Sequence, residues 1–359
     1  MAVSALPGLA ALIAVLFTWL QVGQAGKELR ISEQGQITGR FNAAIDNLGA
    51  PSLHVRLGGI YALGRIAQDS PRDEPAVTSV LSAYVRDRAP ATRKPPARPD
   101  ETPTPPADVN AVLTVLANRT REEDLPITDL HEVDLRGVST GTLPLFGKDQ
   151  LALRNFRNAD LTGSDLRGAN LSLFDLRGAF LEDADLAEAS VVESDLTQAI
   201  LNSANFRDAT LVGSNFTAAS LNLADLRAAI LSKDAQNTAS ERNADLTGAQ
   251  LTEANLTGAD LRGVSLRGAL LAGTNLTRAN LAGAVLRDAD LSTASDWSDT
   301  PATLTGTDLR RADLRGADLR YVDFGSADLR GADLRGAKLA GAKLAGAKVD
   351  ATTRGLPTP

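Results

Sequence analysis

FRNADLTGSDLRGANLSLFDLRGAFLEDADL, residues 156–186, decides the fold. A Leu or Phe returns at every fifth position, at Phe156, Leu161, Leu166, Leu171, Leu176, Leu181 and Leu186, usually with Ala two residues before it and Asp or Asn one before. An α-helix repeats a face every three to four residues and a strand every two, so a period of five fits neither. It predicts a solenoid. Each five-residue unit forms one side of a coil, turns a small and a large side chain inward, and pairs its backbone polar groups with the next coil. The period alone leaves the number of sides open.

Working outward, the centres continue every fifth residue to Leu231, resume from Leu246 to Leu291, and form a second run from Leu304 to Val349. Three stretches interrupt them. Residues 136–150 displace the register before the regular rod. Residues 232–243 keep the spacing but put Gln236 and Glu241 where Leu is due; an unpaired Glu in a Leu core costs several kcal/mol, so this segment is expected to leave the coil. Residues 292–303 break the phase and carry Trp297, a candidate loop anchor for a partner.

The A(D/N)LXX unit resembles the pentapeptide-repeat family over residues 128–350. That resemblance implies a mainly β fold, a right-handed quadrilateral β-helix with four units per coil, in which Leu161 with Ala159, Leu186 with Ala184 and Leu329 with Ala327 are inward pairs. It also implies a possible partner: some members are similar in shape and charge to duplex DNA and bind type II topoisomerases, including DNA gyrase. The N-terminal order, an apolar run followed by RISEQGQITGRFNAAIDNLG and VRLGGIYALGRIAQDSPRD, resembles membrane-associated members of actinobacterial type.

Upstream, residues 5–22 carry no charge and are long enough for a helix of about 27 Å, close to the thickness of a bilayer core. They read as a transmembrane helix, with a cleaved signal or a buried helix as alternatives. Lys27, Glu28 and Arg30 follow the run, which predicts a single-pass protein of the cell membrane with its solenoid on the cytoplasmic side. Residues 24–90 show helical periodicity and form a small α-helical module whose helix pair resembles a single HEAT-type unit. Residues 91–107 are a Pro-rich linker, 108–118 a further helix, and 351–359 a flexible tail.

Composition removes most chemistry. The 359 residues include no Cys and only two His, His54 and His131, far apart in sequence. No phosphate-binding glycine loop or nucleophile motif is present. No catalytic, cofactor or metal residue is therefore expected, and the chain reads as non-enzymatic. The net charge of −7 disfavours direct nucleic-acid binding.

At four units per coil, residues just after the centres point outward and positions 20 apart share a face. Arg167, Arg207, Arg227, Arg267 and Arg287 then form a candidate interaction face, beside an uncharged face through Ser172, Val192, Val212, Ser232, Thr252, Ala272 and Ser292. Glu182, Asp183, Asp185, Glu188, Glu193 and Asp195 form a candidate acidic patch. Residues 151–359 hold 27 acidic and 22 basic side chains, a balance that weighs against close mimicry of DNA. The function expected from sequence is a membrane-tethered, non-enzymatic scaffold for an unknown protein partner, with a DNA-mimic binder of DNA gyrase or another type II topoisomerase as the alternative.

Overall fold

The computed structural model describes residues 34–91, 104–119, 127–139, 154–234, 240–293 and 300–356. The chain divides into two units, Met1–Val77 and Thr78–Pro359.

In the first unit, α1 (34–48) and α2 (Leu53–Asp69) pack through small residues. A Cβ on Gly59 would lie 2.7 Å from the carbonyl oxygen of Ala44, so only glycine permits this approach. Ile60, Leu63 and Ile66 bury the apolar face of α2. The third helix, α3 (Glu74–Arg88), begins in this unit and runs into the second.

The expected membrane anchor is not retained. Residues 5–22 lie outside the described residues, and among the described residues no helix is long and apolar enough to cross a membrane. The longest bounded helix, α2, has 17 residues and includes Arg56, Arg65 and Asp69. The single-pass topology, the cytoplasmic placement of the solenoid and the membrane tether are withdrawn with it.

The second unit is built on one repeated device. In the unit around Leu161, Ala159 and Leu161 are buried; the Leu161 N–H donates to the Phe180 carbonyl at 2.8 Å, and the Phe180 N–H donates back to Ala159 at 2.9 Å. The corner before it closes when the Ala159 N–H donates to the Phe156 carbonyl at 3.0 Å, with Asn158 left-handed at φ 55°. A left-handed third residue is the type II turn pattern. Repeating this corner turns the chain through four sides and returns it one coil further on. Arg154–Asn155 (β1) thus pairs in parallel with Phe174–Asp175 (β2), and single parallel bridges link Asp160 to Phe180, Asp165 to Asp185 and Asn170 to Ser190. At the small inward position, Ser and Thr are also used. The Ser164 and Thr274 hydroxyls donate to the Leu130 and Leu251 carbonyls at 2.7 Å, so no polar group is stranded there.

The N-terminal mouth is covered. Leu113 of α4 (Ala107–Ala117) meets Leu130, Leu135, Phe156 and Leu161 around a cavity of only about 20 Å³. Residues 89–91 lie antiparallel along the first coil's edge, where the Ala91 N–H donates to Glu132 at 2.6 Å and the Asp134 N–H to Ala89 at 2.7 Å. The opposite mouth differs: Leu339 and Leu344 are half-buried and Val349 is exposed. Residues 350–354 close the last coil rather than hanging free. Asp350 accepts the Thr352 N–H at 2.9 Å, and Arg354 sits opposite Asp333 as the final rung.

Candidate interaction surfaces

The bridges define the sides of the rod. The first passes through Phe156, the second through Leu161, the third through Leu166 and the fourth through Leu171. Until Leu231, partners are 20 residues apart; then Asn215 pairs with Asp245 and Ile230 with Asp260, 30 apart, so the ladder passes over ten residues between Ser232 and Asn243. The Ala244 N–H takes up the Leu231 carbonyl at 2.9 Å, and Glu241 is exposed. At the second interruption the Ala302 N–H donates to Leu291 at 2.9 Å in the same way. Trp297 and residues 140–153 fall outside the described residues.

This register redistributes the predicted faces. Arg167, Arg207 and Arg227 follow Asp165, Asn205 and Asp225 on the third side, whose later outward positions are Thr257, Thr277 and Thr305. Arg267 and Arg287 follow Ser265 and Val285 on the opposite, first side, together with Arg177, Arg315 and Arg335. The structure therefore brings together the first three arginines but not all five. The uncharged set separates likewise. Ser172, Val192, Val212 and Ser232 are on the fourth side, while Thr252, Ala272 and Ser292 are on the second.

Most outward arginines are occupied. Where Asp precedes the centre and Arg follows it, the guanidinium folds back onto the carboxylate: Nε and Nη2 of Arg167 reach Asp165 at 2.8 and 2.6 Å, and those of Arg227 reach Asp225 at 2.8 and 2.5 Å. This two-pronged contact holds the Asp225 carboxyl below its ordinary value. Arg287 reaches across to Asp313 at 2.5 Å, and Arg207 lies 3.3 Å from Asp208. The lysines of the last coil face carboxylates of the coil before, Lys338 at 3.0 Å from Asp318 and Lys343 at 3.9 Å from Asp323.

The acidic residues are arranged differently. Glu182 and Asp183 lie on the second side, Asp185 and Glu188 on the third, Glu193 on the fourth and Asp195 on the first. They form a belt around one coil. Asp183, Glu188 and Glu193 occupy left-handed corner positions with φ of 56°, 61° and 53°. Glu182, Asp183, Glu188 and Glu193 make no ion pair with another described residue, whereas Asp185 and Asp195 lie 3.4 and 3.8 Å from Arg167 and Arg177.

Charge also changes along the axis. Residues 156–231 carry 11 acidic and 5 basic side chains; residues 302–356 carry 7 acidic and 10 basic. The near-balance of the whole solenoid averages an acidic half with a basic end.

One cluster among the described residues could suggest chemistry. Asp129, His131 and Asp160 bring ligand-type atoms within 4.8 Å of one another. Arg86 already supplies the positive charge there, with Nη1 at 2.5 Å from the Asp129 carboxylate, so the group is an ion-paired knot. His54 stands near the start of α2, in the first unit.

The sequence matches the family of pentapeptide repeats in eight copies, the first over residues 155–191 and the last over 318–352; none covers 228–241 or 296–301, where the excursions lie. Among solved structures, HetL, a pentapeptide repeat protein involved in heterocyst differentiation regulation from the cyanobacterium Nostoc sp. strain PCC 7120, is 36% identical, with 61% of this chain and 81% of HetL covered and a TM-score of 0.36. A pentapeptide repeat protein of the Arabidopsis thaliana thylakoid lumen is 30% identical over 32% of this chain and 68% of its own, with a TM-score of 0.20. QnrB1, a plasmid-mediated fluoroquinolone resistance protein, is 22% identical over 55% of this chain and 85% of its own, with a TM-score of 0.28. No curated protein matches. None of these findings supports the membrane-associated, actinobacterial subtype, which is withdrawn. This chain belongs to the pentapeptide-repeat family, as a member whose solenoid is interrupted by two excursions.

Proposed function

We propose that this chain works as a docking rod for a protein partner, and that its acidic half engages the basic, DNA-binding surface of a type II topoisomerase. The observation that supports this reading is the excess of 11 acidic over 5 basic side chains in residues 156–231. Duplex DNA presents negative charge around its whole circumference. The belt of Glu182, Asp183, Asp185, Glu188, Glu193 and Asp195 does the same for one coil, with three of its members projected from corners. This reading replaces the membrane-tethered scaffold: the solenoid's near-balanced total charge conceals an acidic half, and among the described residues no helix is long and apolar enough to cross a membrane.

The test is the affinity of the full chain for purified DNA gyrase as a function of ionic strength. Binding should weaken as salt rises, and Glu182→Gln with Asp183→Asn and Glu193→Gln should reduce both affinity and salt sensitivity. Salt-independent binding, or no binding, would contradict the reading.

A further inference from the structure

The basic end of the rod carries a second surface, independent of the acidic half. At the corner between the fourth and first sides, an open groove of about 870 Å³ is lined by five arginines, Arg262, Arg310, Arg311, Arg330 and Arg354, and by three aspartates, Asp234, Asp333 and Asp350. The sequence explains the concavity. The corner position that carries Leu173 and Glu193 earlier in the rod is Gly283 and Gly331 here. No atom lies within 4 Å of a Cβ built on Gly283, and one built on Gly331 would stand 3.3 Å from Arg311 Cγ and 3.4 Å from Thr352 Oγ1. Glycine thus keeps the floor open while the arginines of neighbouring coils rise beside it.

Three of these guanidiniums are held in place and still have donors to offer. Arg262, Arg310 and Arg330 use Nε and Nη2 on Asp260, Asp308 and Asp328, at 2.5–3.0 Å, leaving Nη1 of each outside the pair. Arg311 and Arg354 make no ion pair with another described residue. Arg311 is left-handed at φ 58°, an unusual conformation for a side chain of this size that places it at the corner overlooking the floor. A single carboxylate would add little to arginines that already hold one. A phosphate group brings about two charges and three acceptor oxygens at once, and arginine forks suit it.

We propose that this groove is a binding site for a compact oligophosphate, with Arg311 and Arg354 as its primary contacts and the Nη1 groups of Arg310 and Arg330 completing the shell.

The experiment is calorimetric titration of the full chain with inorganic triphosphate at physiological ionic strength, with sulfate as a control anion. The expected result is saturable binding of triphosphate at least about tenfold tighter than that of sulfate. Arg311→Gln with Arg354→Gln should weaken it about tenfold or more, with an unchanged circular dichroism spectrum. Gly331→Asn fills the floor with a neutral side chain that tolerates the left-handed backbone, and should also weaken binding. Arg278→Gln is the control. Arg278 has the same left-handed geometry at φ 59° but stands on the third side, outside the groove, and its replacement should leave the affinity within about twofold. Absence of triphosphate binding, equal affinity for sulfate, or an equal loss in Arg278→Gln would overturn the proposal. Tighter groove-dependent binding of single-stranded nucleic acid than of triphosphate would overturn the compact-ligand assignment.

Discussion

The amide of Ala244 donates to the carbonyl of Leu231 at 2.9 Å, across the whole of segment 232–243. This is the hydrogen bond that an ordinary corner makes between a centre and the small residue of the next unit, as Ala159 makes to Phe156. The solenoid closes its corner as though the intervening residues were absent. They emerge at one corner, and Ser240 is buried close to Gly213 of the fourth side, where Val212 and Ser232 are fully covered.

Deleting residues 233–242 should therefore leave a foldable chain. It joins Ser232 to Asn243 and restores Leu231–Ser232–Asn243–Ala244–Asp245–Leu246, an uninterrupted unit with Asn at the corner position that tolerates a left-handed backbone. The spectrum should stay that of the full chain, and stability should fall by no more than about 1 kcal/mol for uncovering Val212. Collapse of the fold would show that the excursion is a structural part of the coil.

The left-handed corners also carry residues other than glycine, among them Ala228 at φ 55°. An alanine there gains nothing from a polar side chain and bears the steric cost of that backbone, roughly 1–2 kcal/mol, partly offset by glycine's greater entropy loss on folding. Ala228→Gly should stabilise the chain by about 0.5–1 kcal/mol in chemical denaturation. A destabilisation of that size would mean that this corner is not left-handed in solution.

How far the sequence could be read follows from these same residues. Inward positions were legible because burial acts on the side chain: Leu161, Leu186 and Leu329 are all buried with the small residues expected beside them. The sides were not. Segment 232–243 preserves the five-residue spacing while removing two units from the coil, so Arg267 and Arg287 keep sequence phase with Arg227 but stand on the opposite side. The hydrogen bond from Ala244 to Leu231 and the bridge from Asn215 to Asp245 reveal the shift, although Gln236 and Glu241 at centre positions signalled an excursion. The acidic patch was contiguous in sequence and so was read as local, yet one stretch of that length encircles the rod. The Arg–Asp clamps were also missed. Their signal is an Asp and an Arg on either side of one centre, as in the repeated DLR triplet.

These clamps set the response to acid. Hydrogen bonds from Arg330 hold the Asp328 carboxyl at about 2, and Arg310 and Arg335 act in the same direction on Asp308 and Asp333. A carboxyl whose folded value lies below its unfolded value of about 3.9 stabilises the fold above that pH. Its contribution is lost as pH falls through the folded value, so the melting temperature should drop between about pH 4 and pH 2. Asp328→Asn should lower the melting temperature at neutral pH and flatten the decline in that window. An unchanged decline would assign acid sensitivity to other groups.

The acidic half as a stand-in for duplex DNA is the central claim, and a supercoiling assay tests it most directly. The full chain, added at stoichiometric concentration to DNA gyrase and relaxed plasmid, should inhibit supercoiling; replacing Glu182 by Gln, Asp183 by Asn and Glu193 by Gln should remove the inhibition without altering the circular dichroism spectrum. Supercoiling that proceeds unhindered by the full chain, or that is inhibited equally by the neutralised variant, would contradict the account.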